Sequence, residues 1–327
     1  MSSSESRFNL SASGVSRQVH CFRSPSERIF FEDGYLHYLH PEALAGIDRL
    51  TIQGLKNAEV YFLGQLVGEQ LYWRAYLDNS GILNIVDCEN VLVSGADVVN
   101  TKVYQAGNPT LESSCAVNVS RSQNVVFRRS RMTSGGKVTL QVHSGSQVGL
   151  KDVVLKGYYF ELLSAGSSVT GSQVTFDQQH AIPDSHSAIW LGSSMRHGET
   201  NVLYEGNDVT LDDCTFDMKS GRSLVSGNGS YDTRSLVELS NIHFTPNRDE
   251  TFGVCTWNDH FQSIEVTTDF AADWDDYIST PDQGQAKFVN YYSEPGAEIR
   301  PGGPTGTEAP IVIDGVSSEG LAIVDNF

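Results

Sequence analysis

The sequence predicts an all-β solenoid, and three observations carry the prediction. A short pattern of Val, any residue, then Val, Phe or Leu recurs six times: Val91-Leu92-Val93, Val125-Val126-Phe127, Val148-Gly149-Leu150, Val174-Thr175-Phe176, Val209-Thr210-Leu211 and Val237-Glu238-Leu239. Apolar residues alternate within each copy, which is the period of a strand rather than a helix. No long amphipathic helix with caps lies between the copies, which argues against a βαβ fold. Internal repetition on this length scale is the mark of a repeat architecture, in which each unit buries its apolar face only by stacking on its neighbours.

The elements follow in order along the chain. Residues 1 to 25 are Ser-rich and polar, and are expected to be a tail. Phe30-Phe31-Glu32-Asp33-Gly34-Tyr35-Leu36 is expected to be a strand and turn leading into the first coil, at the end where a solenoid needs a cap over its open core. The coils themselves are expected over residues 26 to 276, cap included. The leading valines are 34, 23, 26, 35 and 28 residues apart, which fits coils with a fixed strand set and loops of varying length. A second apolar piece follows most copies, as in Val153-Val154-Leu155, Cys214-Thr215-Phe216 and Ile242-His243-Phe244. The bends before these pieces hold Asp152, Asp213 and Asn241, residue types that tolerate left-handed backbone. Residues 277 to 327 are expected to be a loop-rich C-terminal segment, with Pro301-Gly302-Gly303-Pro304 as its punctuation and Ile311-Val312-Ile313 and Leu321-Ala322-Ile323-Val324 as late strands.

Rungs such as Asn124-Val125-Val126-Phe127-Arg128-Arg129-Ser130 and Asn207-Asp208-Val209-Thr210-Leu211-Asp212-Asp213-Cys214-Thr215-Phe216 resemble the right-handed parallel β-helix of the pectate-lyase-like superfamily. The resemblance covers about residues 46 to 270. It implies a right-handed parallel β-helix and a polysaccharide partner, and it leaves the activity open because one fold hosts many functions.

A further strand precedes each repeat: Leu83-Asn84-Ile85, Val117-Asn118-Val119, Leu140-Gln141-Val142, Phe160-Glu161-Leu162 and Ile189-Trp190-Leu191. Strand alternation turns each middle residue outward. Stacked in register, Asn84, Asn118, Gln141, Glu161 and Trp190 are expected to form one external column suited to sugar hydroxyls and a pyranose face. Between Arg121 and Lys156 the chain carries seven basic residues against the single acid Asp152. Arg128 and Arg131 there are expected to hold uronate or sulfate groups, because guanidinium matches planar oxyanions. The superfamily's lyases use a basic residue or His to remove a sugar proton, a role open to Arg129, Lys137 or His143. A hydrolase needs two carboxyl groups instead. Glu161 and Asp184 are the first candidates, with Asp177 and Asp212 behind them, and His197 lies in the polar insertion that also holds His180 and His186. Asp212, Asp213 and Asp217 can supply oxygen ligands to calcium, the one cofactor the acids suggest.

Charge bounds the partners. The chain has 40 acidic against 22 basic residues, for a formal net charge of −18 over 327 residues. That disfavours nonspecific nucleic-acid binding. No apolar run reaches the ~18 residues of a membrane span. The five cysteines form no CxxC pair, and no GxGxxG, P-loop, HExxH or GxSxG motif is present. No secretory signal is recognisable, so synthesis in the cytoplasm is expected, with release by another route or association with a phage virion. The expected function is a polysaccharide lyase acting on an acidic, uronate-containing glycan. The alternatives are a glycoside hydrolase on the same scaffold and a non-enzymatic virion or surface module that binds glycans, a homotrimer being the oligomer such a module suggests.

Overall fold

A computed structural model describes side chains for residues 17–25, 28–69, 78–103, 115–158, 160–178, 188–192 and 207–217, and describes the backbone of strand segments as far as Val312–Ile313. The chain forms the parallel β-helix that the sequence predicts. A long sheet runs through Val19–Phe22, Leu36–Leu39, Lys56–Phe62, Glu89–Ser94, Gln123–Ser134, Gln147–Gly157, Ser168–Gln178, Asp208–Asp217 and Ser235–Thr245. A shorter sheet stacks Leu50–Gln53, Gly81–Val86, Cys115–Ser120, Val138–His143, Phe160–Ala165, Ser187–Gly192 and Ser223–Gly227. All these pairings are parallel, so each coil bonds to the coil before and the coil after. A four-residue helix, Pro41–Leu44, buries Ala43 and Leu44 at the N-terminal end. Among the described residues no helix is long and apolar enough to cross a membrane.

Two boundaries differ from the expectation. Val19–Phe22 lies within the expected tail yet pairs in register with Leu36–Leu39. The long sheet also continues past residue 276, through Gln285–Ser293 to Val312–Ile313. The repeat itself needs one correction. Val148 faces Val169, and Val169 faces Val209, while Val174 faces Val153. Val174-Thr175-Phe176 therefore belongs to the half-strand after the bend. Both halves share the alternation, and Gly171 replaces the apolar residue that would have marked the first half. A Cβ at Gly171 would lie 2.7 Å from Leu211 Cδ2, so Leu211 of the next coil fills that space.

The bends obey one rule. Gly95, Arg129, Asp152, Gln173 and Asp213 all have left-handed backbone and occupy equivalent places on successive coils. The corner leaving the shorter sheet repeats the geometry at Gly54, Asp87, Arg121, Ser144 and Gly166. A third series is Asn57, Asn90 and Asn124, whose amides form a ladder with Asn90 Nδ2 donating to Asn57 Oδ1 at 3.0 Å and Asn124 Nδ2 to Asn90 Oδ1 at 2.9 Å. Serines that read as connector filler are also structural. The buried N–H of Cys88 bonds Ser122 Oγ, that of Ser122 bonds Ser146 Oγ, and that of Ser146 bonds Ser167 Oγ, at 3.0, 3.2 and 3.1 Å. Each hydroxyl satisfies a donor that the corner removes from the ladder.

Inside, side chains stack in columns. Met132, Leu155, Phe176 and Phe216 lie on one column, and the last two rings are parallel with centroids 4.4 Å apart. Phe176→Ala is expected to cost about 3–5 kcal/mol in denaturant unfolding, because neighbours on both coils lose their packing partner; a cost below about 1 kcal/mol would contradict this column. Ser146→Ala is expected to cost about 1–3 kcal/mol, since it strands the buried Ser122 N–H. An unchanged midpoint for that variant would show that the corner relaxes to satisfy the donor elsewhere.

Candidate functional site

The outward positions of the shorter sheet are largely buried. Leu83, Val117, Leu140, Leu162 and Ile189 share one inward register. The outward neighbours in line are Asn84, Asn118, Gln141, Leu163 and Trp190. Glu161 is outward as expected, but it stands two residues upstream, level with Thr139. A slip of two preserves the face, so alternation alone could not reveal it. The column is also not solvated: Asn84, Asn118, Gln141, His143 and Glu161 have no exposed surface, and Trp190 is half-buried.

The amides and imidazole form a continuous network. Asn84 bonds Gly81 twice, Nδ2 to the carbonyl at 2.8 Å and Oδ1 from the N–H at 2.9 Å, which locks the turn entering its own strand. Gln141 Nε2 donates to Asn118 Oδ1 at 3.0 Å and to Ser80 Oγ at 3.2 Å. Asn118 Oδ1 is thus an acceptor, so His143 Nε2, 3.1 Å away, carries the proton. His143 Nδ1 then accepts from the Ser144 hydroxyl at 2.9 Å. At the corner beyond, Arg121 grips both Asp78 and Asp87, and Ser120 Oγ donates to Asp78 at 2.8 Å. The double grip holds the Asp87 carboxyl below its ordinary range.

The carboxyl group of Glu161 has a different setting. Burial raises its pKa well above 4.5; a hydrogen bond from its own backbone pulls the other way, and Asp177 adds a lesser upward push. Among the described residues, neither carboxyl oxygen bonds another residue. Space for this side chain exists because residue 157 is glycine: a Cβ there would sit 2.6 Å from Glu161 Oε1 and 2.7 Å from Thr139 Oγ1. Asp177 is ion-paired to Lys156 Nζ at 2.9 Å and only partly exposed. Burial thus favours the neutral form of Glu161, while Asp177 is engaged by a lysine, a difference of setting of the kind that separates acid and base roles. Next to Glu161 in sequence, Phe160 meets Trp190 at 4.7 Å between centroids, and Lys137 Nζ lies 5.9 Å from the Phe160 ring.

The other sequence-derived candidates are dispersed. Arg129 sits at the bend of the long sheet, and Arg128 and Arg131 are exposed on that sheet's outer face. Asp212 precedes the bend, Asp213 occupies it and Asp217 follows on the second half-strand. No group of three metal-capable side chains converges among the described residues. Asp184 and His197 lie outside the described residues, as do His180 and His186. The sequence reading passed over Thr139, Ser144, Ser80 and Gly157, and gave Asp177 second rank. A glycine closing a coil beside a buried acid was the available signal for Gly157.

No family model matches this chain, and no curated protein sequence does. Among solved structures it is similar to the pectin methylesterase PemA from Erwinia chrysanthemi, at 10% identity and a TM-score of 0.45 over 69% of this chain and 80% of that one. It is similar to a pectin methylesterase mutant in complex with a hexasaccharide, at 10% identity and 0.41 over 72% and 82%. It is also similar to the catalytic unit of a thermostable α-1,3-glucanase from Streptomyces thermodiastaticus, at 14% identity and 0.30 over 89% and 64%. The β-helix itself is defined by the strand pairing described above.

The neutral state of Glu161 has a consequence for stability. Between the ordinary value of 4.5 and the raised folded value, the folded chain keeps a proton that the unfolded chain releases. Stability from this group is complete below the unfolded value and is lost as pH rises through the folded one. Glu161→Gln is accordingly expected to raise the thermal midpoint relative to wild type more at pH 8 than at pH 4. Equal offsets at both pH values would mean that Glu161 titrates alike in the folded and unfolded chains.

Proposed function

We propose that this β-helix acts on a polysaccharide and cleaves its glycosidic bonds, with Glu161 as the proton donor and Asp177 as the partner carboxylate. The observation that supports this is a fully buried glutamate, accommodated by Gly157, in the same part of the coil as an aspartate held by Lys156. Glycoside hydrolysis uses two such groups, one protonating the leaving oxygen while the other serves water or the sugar carbon. Half-buried Trp190, packed on the buried ring of Phe160, is the aromatic group here with surface to cover a pyranose ring. Glu161 has no exposed surface, so cleavage requires local opening of this face.

Lyase chemistry, the first expectation from sequence, is the rival reading. His143 is a poor base for it, because both ring nitrogens are already engaged. Arg129 is on the other sheet. Lys137 stands beside Phe160 and is the base such a reaction would use.

Assays across uronans and neutral glucans are expected to show new reducing ends without an unsaturated chromophore. Glu161→Gln and Asp177→Asn are each expected to lower kcat by on the order of 10²–10⁴-fold. Unsaturated products that survive Glu161→Gln and vanish with Lys137→Met would establish the lyase instead. Glycan retention without turnover on any substrate would favour the non-enzymatic module.

A further inference from the structure

We infer that the outer face of the long sheet carries a binding strip for an anionic polysaccharide, built by Arg128, Arg129, Arg131 and Lys151; this deepens the polysaccharide reading above and rests on it. The structure sorts the seven bases of the segment into two groups. Arg121 is committed to Asp78 and Asp87, Lys156 to Asp177, and Lys137 lies against Phe160. The remaining four are exposed and form no ion pair among the described residues.

Their placement is ordered by the coils. Arg128 and Lys151 are in register on adjacent strands, Arg129 occupies the bend next to them, and Arg131 follows on the second half-strand. Three acids lie around this group. Asp97 is level with Arg131 and accepts from Gln65 Nε2 at 2.9 Å, Asp152 is level with Arg129 at the bend, and Glu59, paired with Arg17 and bonded to Tyr61, is level with Val126 two strands away. Four cations against three acids, one of them already paired, leave the strip positive inside a chain of net charge −18. On the same face, half-buried Val126 lies beside Gly149, whose missing side chain leaves a flat floor next to Arg128 and Lys151. Along the ladder the sign then changes, from Lys151 through Ser172 to Asp212, so the strip has a defined end.

Three features select the partner. Coils repeat at about 4.8 Å, close to the length of one pyranose unit, so cations on successive coils match acidic groups on successive sugars. Guanidinium groups fork onto planar carboxylate or sulfate oxygens. The acidity of the whole chain opposes duplex nucleic acid, which needs a broad basic footprint. The strip also points toward the carboxyl pair, because Thr133, two residues after Arg131, is level with Lys156, the partner of Asp177.

The test is affinity of the full chain for immobilised polygalacturonate, alginate, a sulfated glycan, neutral dextran and duplex DNA, at about 50 mM and about 500 mM salt. Binding to at least one anionic glycan is expected, weaker by on the order of tenfold at the higher salt, with dextran and DNA retained less. The double variant Arg128→Glu/Lys151→Glu is expected to lose on the order of tenfold or more in affinity while keeping its circular dichroism and melting temperature. Glu161→Gln is expected to bind as wild type does, so loss of turnover with binding intact bears on the cleavage reading alone. Equal retention on dextran, tighter binding to DNA, binding to no anionic glycan, or no effect of the double charge reversal would each overturn the inference.

Discussion

Through the described strands, each coil is held by parallel backbone pairing to its neighbours, in nearly unbroken register. That constraint makes columns, not individual residues, the units of structure. A position that faces inward on one coil faces inward on the next, and so Met132, Leu155, Phe176 and Phe216 share one core column. The same constraint fixes where the backbone must turn left-handed, and those places recur at equivalent points around successive coils. Corners that would orphan N–H groups instead feed them to stacked serine hydroxyls. A solenoid's stability is accordingly a sum over coils and their interfaces.

The candidate site is built by breaking column uniformity. Outward positions of the shorter sheet hold Asn118, Gln141 and His143, and the Asn118 oxygen accepts from both of the others, although Gln141 Oε1 itself has no partner among the described residues. One strand further on, the series changes to Glu161 and Leu163, and the bonding stops. Gly157 makes room for an acid that no other residue among those described bonds. The low dielectric around it favours the neutral form, while Lys156 holds Asp177 by an ion pair. Difference of environment, rather than any motif, separates the two carboxyl groups.

Much of the fold was legible in the sequence because alternation and repetition are direct consequences of stacked strands. Asp152 and Asp213 were readable as bends because their side-chain chemistry suits left-handed backbone, whereas Arg129 at the equivalent place was not. Register was less legible. Val174 was assigned to the wrong half-strand and Glu161 to the wrong level, each by an even number of residues or across equivalent halves, where the apolar pattern is unchanged. Burial of the polar face was not legible at all, since a period-two pattern says which side a residue faces and nothing about what covers that side. The charge sum behaved similarly. Seven bases in one segment were countable, but only the structure separates Arg121 and Lys156, with acid partners, from the exposed four.

The central claim is that burial, with no bond from another described residue, shifts Glu161 toward its neutral form. The most direct measurement is the side-chain carboxyl ¹³C shift of Glu161 followed by NMR from acid to alkaline pH, assigned by its loss in Glu161→Gln. A carboxyl that remains protonated well above the ordinary glutamate range is the expected result. Titration of Glu161 in the ordinary range near 4.5, independent of Asp177, would contradict it.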